Sequence, residues 1–142
     1  MQRIFLTILI TALPLVFLGC GEKRPGTTSV TITITQKGTS LEGATVTILS
    51  ADGNTASGMT DSSGVATMET SQGWKGALPG EYGVAVKKWE SKTVPSPSDE
   101  SPDDTRTTRE NKLPAKYGEH GTSGFKLTVG KSAVKETFDI TE

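Results

Sequence analysis

Apolar and polar positions alternate with a period of two in short runs along this chain, the pattern of strands that bury one face. The clearest run is SVTITITQ, which puts Val30, Ile32 and Ile34 on one face and Thr31, Thr33 and Thr35 on the other. All six are β-branched and suit a pleated, half-buried surface. ATVTILS repeats the alternation with Ala44, Val46 and Ile48, VATMET with Ala66 and Met68, and EYGVAVKKW with Tyr82, Val84 and Val86. FKLTV turns Phe125, Leu127 and Val129 inward, and KETFDI does the same with Phe138 and Ile140. With ASGMT as a further short segment, the count is about seven strands, the number of a two-sheet sandwich. The turns KGTSLEG, ADGN and DSSG separate them; Asp hydrogen-bonds within its own turn and Gly accepts positive φ. The expected fold class is all-β.

Two stretches leave the alternation. SQGWKGALPG, residues 71–80, reads as a glycine-rich loop. From Ser91 to Lys112 the chain is rich in Pro, Ser, Thr and acidic residues with almost nothing to bury. A disordered insertion at about 91–112 is expected there, rather than a second domain. Order is expected to return at LPAKYGEHGTSG, where Pro114 suits the first turn of a short helix and Gly118 its end. Leu113 and Tyr117, four apart, share a face and would pin the long loop.

The N-terminus, MQRIFLTILITALPLVFLGC, carries Arg3 as its only charge and then an apolar run from Ile4 to Leu18. That is the layout of a signal peptide. The run is about 15 residues against the roughly 20 of a spanning helix, and Pro14 interrupts it, so a transmembrane anchor is the weaker reading. FLGC resembles the lipobox of bacterial lipoproteins, with Phe17 where that family usually has Leu. The resemblance implies removal of residues 1–19 and lipidation of Cys20. A buried methylene contributes about 0.8 kcal/mol and one acyl chain holds only marginally, so a cysteine bearing more than one chain makes a stable membrane anchor. Gly21, rather than Asp, follows the cysteine; by resemblance to lipoprotein sorting rules this disfavours inner-membrane retention. The expected location is the cell envelope, with the outer membrane or cell surface favoured. GEKRPGTT then reads as a flexible tether. The expected organisation is a signal peptide over 1–19, a lipidated tether over 20–28 and one sandwich domain over 29–142.

Charge and cysteine content narrow the function classes. The formal net charge is −1, and loss of Arg3 with the signal peptide makes it −2, which offers nothing to a nucleic acid. Cys20 is the single cysteine; once lipidated it leaves no thiol for a disulfide, a metal or a nucleophile, although an exported compartment permits disulfides. Stability then rests on the apolar core.

GTSLEGATVTILSADGNTASGMTDSSGVATMET resembles the carboxypeptidase regulatory-like domain in its Gly38, Leu41, Gly43, Ala44 and Val46 hairpin, followed by Thr60, Asp61 and Gly64. Ala66 stands where that family usually has Phe. LPGEYGVAVKK, the acidic insertion and LPAKY with TSG follow in an order similar to small bacterial lipoproteins that carry this domain. The resemblance implies an immunoglobulin/transthyretin-like β-sandwich with a non-catalytic accessory or binding role.

Candidate chemistry is sparse. His120 is the only histidine, and neither a nucleophilic triad nor a zinc site can be assembled around it from the sequence; it reads as a solvated loop residue. Asp99, Glu100, Asp103 and Asp104 lack the spacing and central glycine of a calcium loop, and Lys87, Lys88 and Lys92 nearby favour a solvated charge cluster. Trp74 and Trp89 leave two readings open, a plug at the end of the sandwich or an aromatic platform for a protein or glycan. Trp74, Trp89 and Tyr117 are therefore the candidate binding residues, with no catalytic residue, metal or cofactor expected. The leading expectation is a lipid-anchored, non-catalytic envelope protein that is structural or binds a protein through its loops or an open sheet edge. A glycan- or small-ligand-binding module is the alternative, and an envelope hydrolase is least favoured.

Overall fold

A computed structural model of the chain describes residues 26–95 and 105–141. The expected signal peptide, Cys20, the first part of the tether and the Asp99–Asp104 cluster lie outside the described residues.

The described chain is all-β. Its strands are β1 (Val30–Gln36), β2 (Thr39–Ser40), β3 (Thr45–Ser50), β4 (Thr55–Met59), β5 (Val65–Thr67), β6 (Glu69–Thr70), β7 (Gly80–Lys87), β8 (Trp89–Pro95), β9 (Thr105–Asn111), β10 (Lys126–Val129) and β11 (Val134–Ile140), with a short 3-10 helix at Ala115–Gly118. One sheet has β1 at its centre, parallel to β11 on one side and antiparallel to β2 and β5 on the other. The second runs β10-β7-β3-β4-β6 and is antiparallel throughout. Together they form a sandwich around one core.

The period-two reading of the inward residues holds. Val30, Ile32 and Ile34 from the first sheet meet Val46, Ile48, Val84 and Val86 from the second, all with no exposed surface. Ala66 and Met68 are equally buried, while Phe125 and Phe138 are half-buried and pack against the same cluster. Between β10 and β11, Tyr117, Phe125 and Phe138 stack in series, with ring centroids 5.1 and 4.7 Å apart. Stacking at these spacings adds to the burial of the rings.

Four features differ from the expectations. VATMET is two strands: the chain pairs with β1 as β5, passes between the sheets at Met68, and pairs with β4 as β6. The sandwich starts one residue early, since Thr28 is buried and exchanges backbone hydrogen bonds with Ala77 at 2.8 and 2.9 Å. Gly76 permits this approach: its φ is +93°, and a side chain there would run into the Thr28 carbonyl. The short helix is a single 3-10 turn with Pro114 as its N-cap.

The fourth difference is the insertion. Instead of disorder across 91–112, β8 and β9 pair over seven positions into an antiparallel ribbon, with residues 96–104 outside the described part. Composition hid this because the ribbon buries little; most of its described side chains are exposed. Backbone pairing and one cation hold it instead. Glu90 lies directly opposite Glu110, a destabilising arrangement, and Lys112 Nζ sits 3.7 Å from the first carboxylate and 3.3 Å from the second.

Candidate functional site

The outer faces of the two sheets are built differently. On the first sheet, alternation along β1 puts Thr31, Thr33 and Thr35 outward, with Thr67 and Thr137 beside them in register. On the second, Thr45 and Thr47 of β3 share the outer face with Leu49, and β7 contributes Gly83, Ala85 and Lys87. The small Gly83 and Ala85 leave room for another layer.

Residues 112–124 form that layer, a strap laid across β7. Its start is fixed by Asn111, whose side-chain oxygen accepts the N–H groups of Lys88 (3.0 Å) and Leu113 (3.3 Å), while Lys112 N–H donates to the Lys88 carbonyl at 2.8 Å. Leu113 and Tyr117 then bury themselves in the core cluster. The Tyr117 hydroxyl donates to the Thr141 carbonyl at 2.6 Å and accepts from the Thr141 N–H at 3.1 Å, tying the strap to the end of β11. Hydrogen bonding with Thr141, chiefly its side chain, draws the Tyr117 phenol below its usual range against the opposing effect of burial, and Lys116 adds to the lowering. At its far end, the Ser123 hydroxyl donates to the Val84 carbonyl.

His120 lies in the middle of this strap. A Cβ placed on Gly83 would come within 2.8 Å of the His120 carbonyl oxygen and 3.1 Å of its Cβ, so the absent side chain of Gly83 admits the strap. The solvated-loop reading of His120 is thereby corrected: the ring is partly buried, and its Nε2 is buried without a hydrogen-bond partner among the described residues. Buried polar atoms of this kind are rare. Sequence reasoning missed it because the covering surface comes from a strand 37 positions earlier in the chain.

Two cavities flank His120. The larger, about 410 Å³, is bordered by Leu49, Glu81, Phe125 and Lys126. The smaller, about 210 Å³, is bordered by Thr45, Thr47, Lys87, Trp89 and Glu119. Lys87 Nζ and a Glu119 carboxylate oxygen are 3.6 Å apart at the rim, an exposed pair that contributes little to stability.

The three sequence candidates do not form one platform. Trp89 is 49% exposed and stands on this outer face. Trp74 is half-buried in the loop after β6, where its backbone N–H and carbonyl both bond to Thr70; the register of β4 places that loop at the opposite end of the sheet. Tyr117 is buried, because its ring fills the space between strap and sheets; of its two expected roles, this position agrees with pinning the loop and leaves almost no exposed surface for binding. The exposed apolar side chains that sequence reasoning passed over are Leu49, 37% exposed, and Met59, 67% exposed. A signal for both was present, since each is a large apolar residue on the polar phase of its strand's alternation.

Elsewhere, Tyr82 donates to the Leu78 carbonyl at 2.8 Å, and burial, with the Asp52 charge second, pushes its phenol above the usual range. Asp139 Oδ1 accepts from the Thr35 hydroxyl at 2.6 Å and the Gly38 N–H at 3.0 Å. These bonds lower its carboxyl below the usual range, the Thr35 contact most. Among the described residues no group of three or more His, Cys, Asp or Glu is placed to hold a metal ion, and no helix is long and apolar enough to cross a membrane. Compared with protein-family models, curated proteins and solved structures, the chain matches none significantly.

Proposed function

We propose that this protein is a lipid-anchored, non-catalytic envelope module, held to a membrane through Cys20, that binds a protein partner on the outer face of its second sheet. One observation carries the reading. Leu49, Met59 and Trp89, the large apolar side chains left exposed among the described residues, all lie on that face. Met59 is opposite Thr45, Thr45 is opposite Lys87, and Trp89 continues the alternation of β7 two residues further on. Apolar side chains gathered on one face, with charged residues at the rim, make the usual anatomy of a contact surface.

The carboxypeptidase regulatory-like resemblance is in keeping with this proposal. Leu41, Ala44 and Val46 are buried, the Thr60 hydroxyl accepts the Ala44 N–H at 2.8 Å, and Asp61 accepts the N–H groups of Ser63 and Val65. These five motif residues thus have structural tasks, which suits a scaffold whose function lies on its surface.

A second reading, saccharide binding, draws on the cavity beside Trp89, where an aromatic ring adjoins two threonines, a lysine and a glutamate. Photo-crosslinking separates the two. With a photoreactive residue at position 59 or 89 of the full chain in bacterial envelopes, the protein-binding reading expects a discrete protein adduct from both, and none from exposed Ser62. If those sites give no more adduct than position 62, and polysaccharide quenches Trp fluorescence in wild type but not in Trp89→Ala, the saccharide reading replaces it. Cys20→Ala tests the anchor separately, with loss of membrane partitioning as the expected result.

A further inference from the structure

We propose that the free edge of β11 is a self-pairing surface, at which two copies of this chain join by an antiparallel two-fold ladder centred on Thr137. The inference stands apart from the binding face and from the lipid anchor. β11 is seven residues long and bounds its sheet, with only β1 beside it among the described residues. Two hydrogen bonds fix which of its backbone groups are already used: Val134 N–H donates to the Ser29 carbonyl at 2.9 Å, and Lys37 N–H donates to the Ile140 carbonyl at 3.2 Å. Residues 134 and 140 therefore turn their backbone groups toward β1. Alternation along the strand turns those of Lys135, Thr137 and Asp139 outward, to the open edge.

A row of outward N–H and C=O groups is a template for another strand, and the side chains select which strand and which register. An antiparallel pairing about Thr137 sets Thr137 against itself and Lys135 against Asp139 of the other copy, once on each side of the axis. All of these are positions whose backbone groups point across the gap, so each pair exchanges two hydrogen bonds. Cross-strand opposite charges stabilise such a pair, and the symmetry makes the patch complementary to itself. Among the described residues, the Thr35 and Gly38 contacts of Asp139 both fall on Oδ1. On the inner side, Val134 meets Ile140 of the other copy. Moving the axis to Glu136 sets two like carboxylates face to face; moving it to Phe138 separates Lys135 from Asp139. Two of the exposed charges that guard this edge against unrelated strands, Lys135 and Asp139, are thus satisfied by a second copy, while Glu136 falls opposite Phe138.

One strand pair is small beside the roughly 1,200–2,000 Å² of a stable interface, so the dimer is weak, and crosslinking is the suitable reading. Paired positions at an exchanged hydrogen-bonded site lie about 5.5 Å apart between Cα atoms, inside the ~4.4–6.8 Å that a disulfide spans. The test uses the full chain with Cys20→Ala, so the introduced thiol is alone and the anchor plays no part. Under mild oxidation, Thr137→Cys is expected to form a disulfide dimer at least about tenfold faster than Thr128→Cys on the β10 edge or Lys135→Cys, which the register keeps from its own copy. Lys135→Glu added to Thr137→Cys is expected to slow dimer formation about fivefold or more. In sedimentation, the apparent mass of the Cys20→Ala chain without an added cysteine should rise with concentration, and that of its Lys135→Glu variant should not. Equal oxidation rates for positions 137, 128 and 135, or an apparent mass independent of concentration, would overturn the proposal.

Discussion

The two outer faces of this sandwich are both pleated sheet surfaces and have opposite fates. The face of β1 is lined by threonines and has no described segment packed over it, whereas the face of β7 carries the 112–124 strap and the exposed Trp89, Leu49 and Met59. The difference comes from side-chain volume on one strand. Threonines fill the first face and keep it level, while Gly83 and Ala85 hollow the second so that a chain segment can lie in it. A sheet face becomes a site when small residues leave space and a nearby segment has apolar anchors to enter it. Here those anchors are Leu113 and Tyr117.

Refilling the hollow should break the contrast most strongly. Gly83→Val forces a side chain against the His120 backbone, and overpacking of this kind costs about 1–3 kcal/mol. Thr33→Val, the comparable change on the level face, should stay within about 0.5 kcal/mol. Urea denaturation of the two variants beside wild type measures both, and equal losses would mean that the strap does not depend on the gap at Gly83.

Loosening the strap at its anchor comes next. Tyr117→Phe keeps the ring in the core and removes the hydroxyl's hydrogen bonds to the Thr141 backbone and side chain, an expected loss of about 0.5–1.5 kcal/mol per bond. Hydrogen exchange at Thr141 and along the strap should speed up, with β1 and β5 unchanged.

Trp89→Ala sharpens the contrast in the other direction. Since half of the side chain is exposed, thermal stability should change by no more than about 0.5 kcal/mol, while adduct formation from the crosslinker at position 59 should fall by at least about tenfold. A large stability loss would make Trp89 a plug, the other reading that its sequence context allows.

The smallest effect belongs to the level face and depends on pH. Folding lowers the Asp139 carboxyl, so the unfolded chain takes up its proton first as pH falls. The stabilisation is therefore fully present above the ordinary carboxylate range, near pH 3.9, and is lost as pH drops through the lowered folded value. Asp139→Asn should be less stable than wild type at pH 7, and the gap should close below the folded value. A gap that stays constant with pH would assign the effect to something other than ionisation.

How much of this was legible in the sequence follows from the range of each interaction. Val30, Ile32, Ile34, Ala44, Val46, Ile48, Val84 and Val86 could be read as core because burial in a strand repeats every second residue and needs no knowledge of the partner. The turns were legible for the same local reason. Three things were not. The β8–β9 ribbon is a pairing of polar strands without an apolar face, so composition counted it as disorder. The parallel pairing of β1 with β11 joins the two ends of the described chain, and nothing in either segment names the other. His120 became partly buried only because Gly83, far back in the chain, left room for it.

The sequence by itself determined the strand class, the inward residues and the turns, all set by neighbours within a few positions. It also carries the N-terminal pattern from which the lipid anchor at Cys20 is proposed. Tertiary structure alone decided that Trp74 and Trp89 stand at opposite ends of one sheet, that Gly83 makes room for His120, and that β11 has β1 as its only strand neighbour among the described residues. Those outcomes depend on which strands lie side by side, a choice made by the packing of the whole core and not encoded in the period of any single segment.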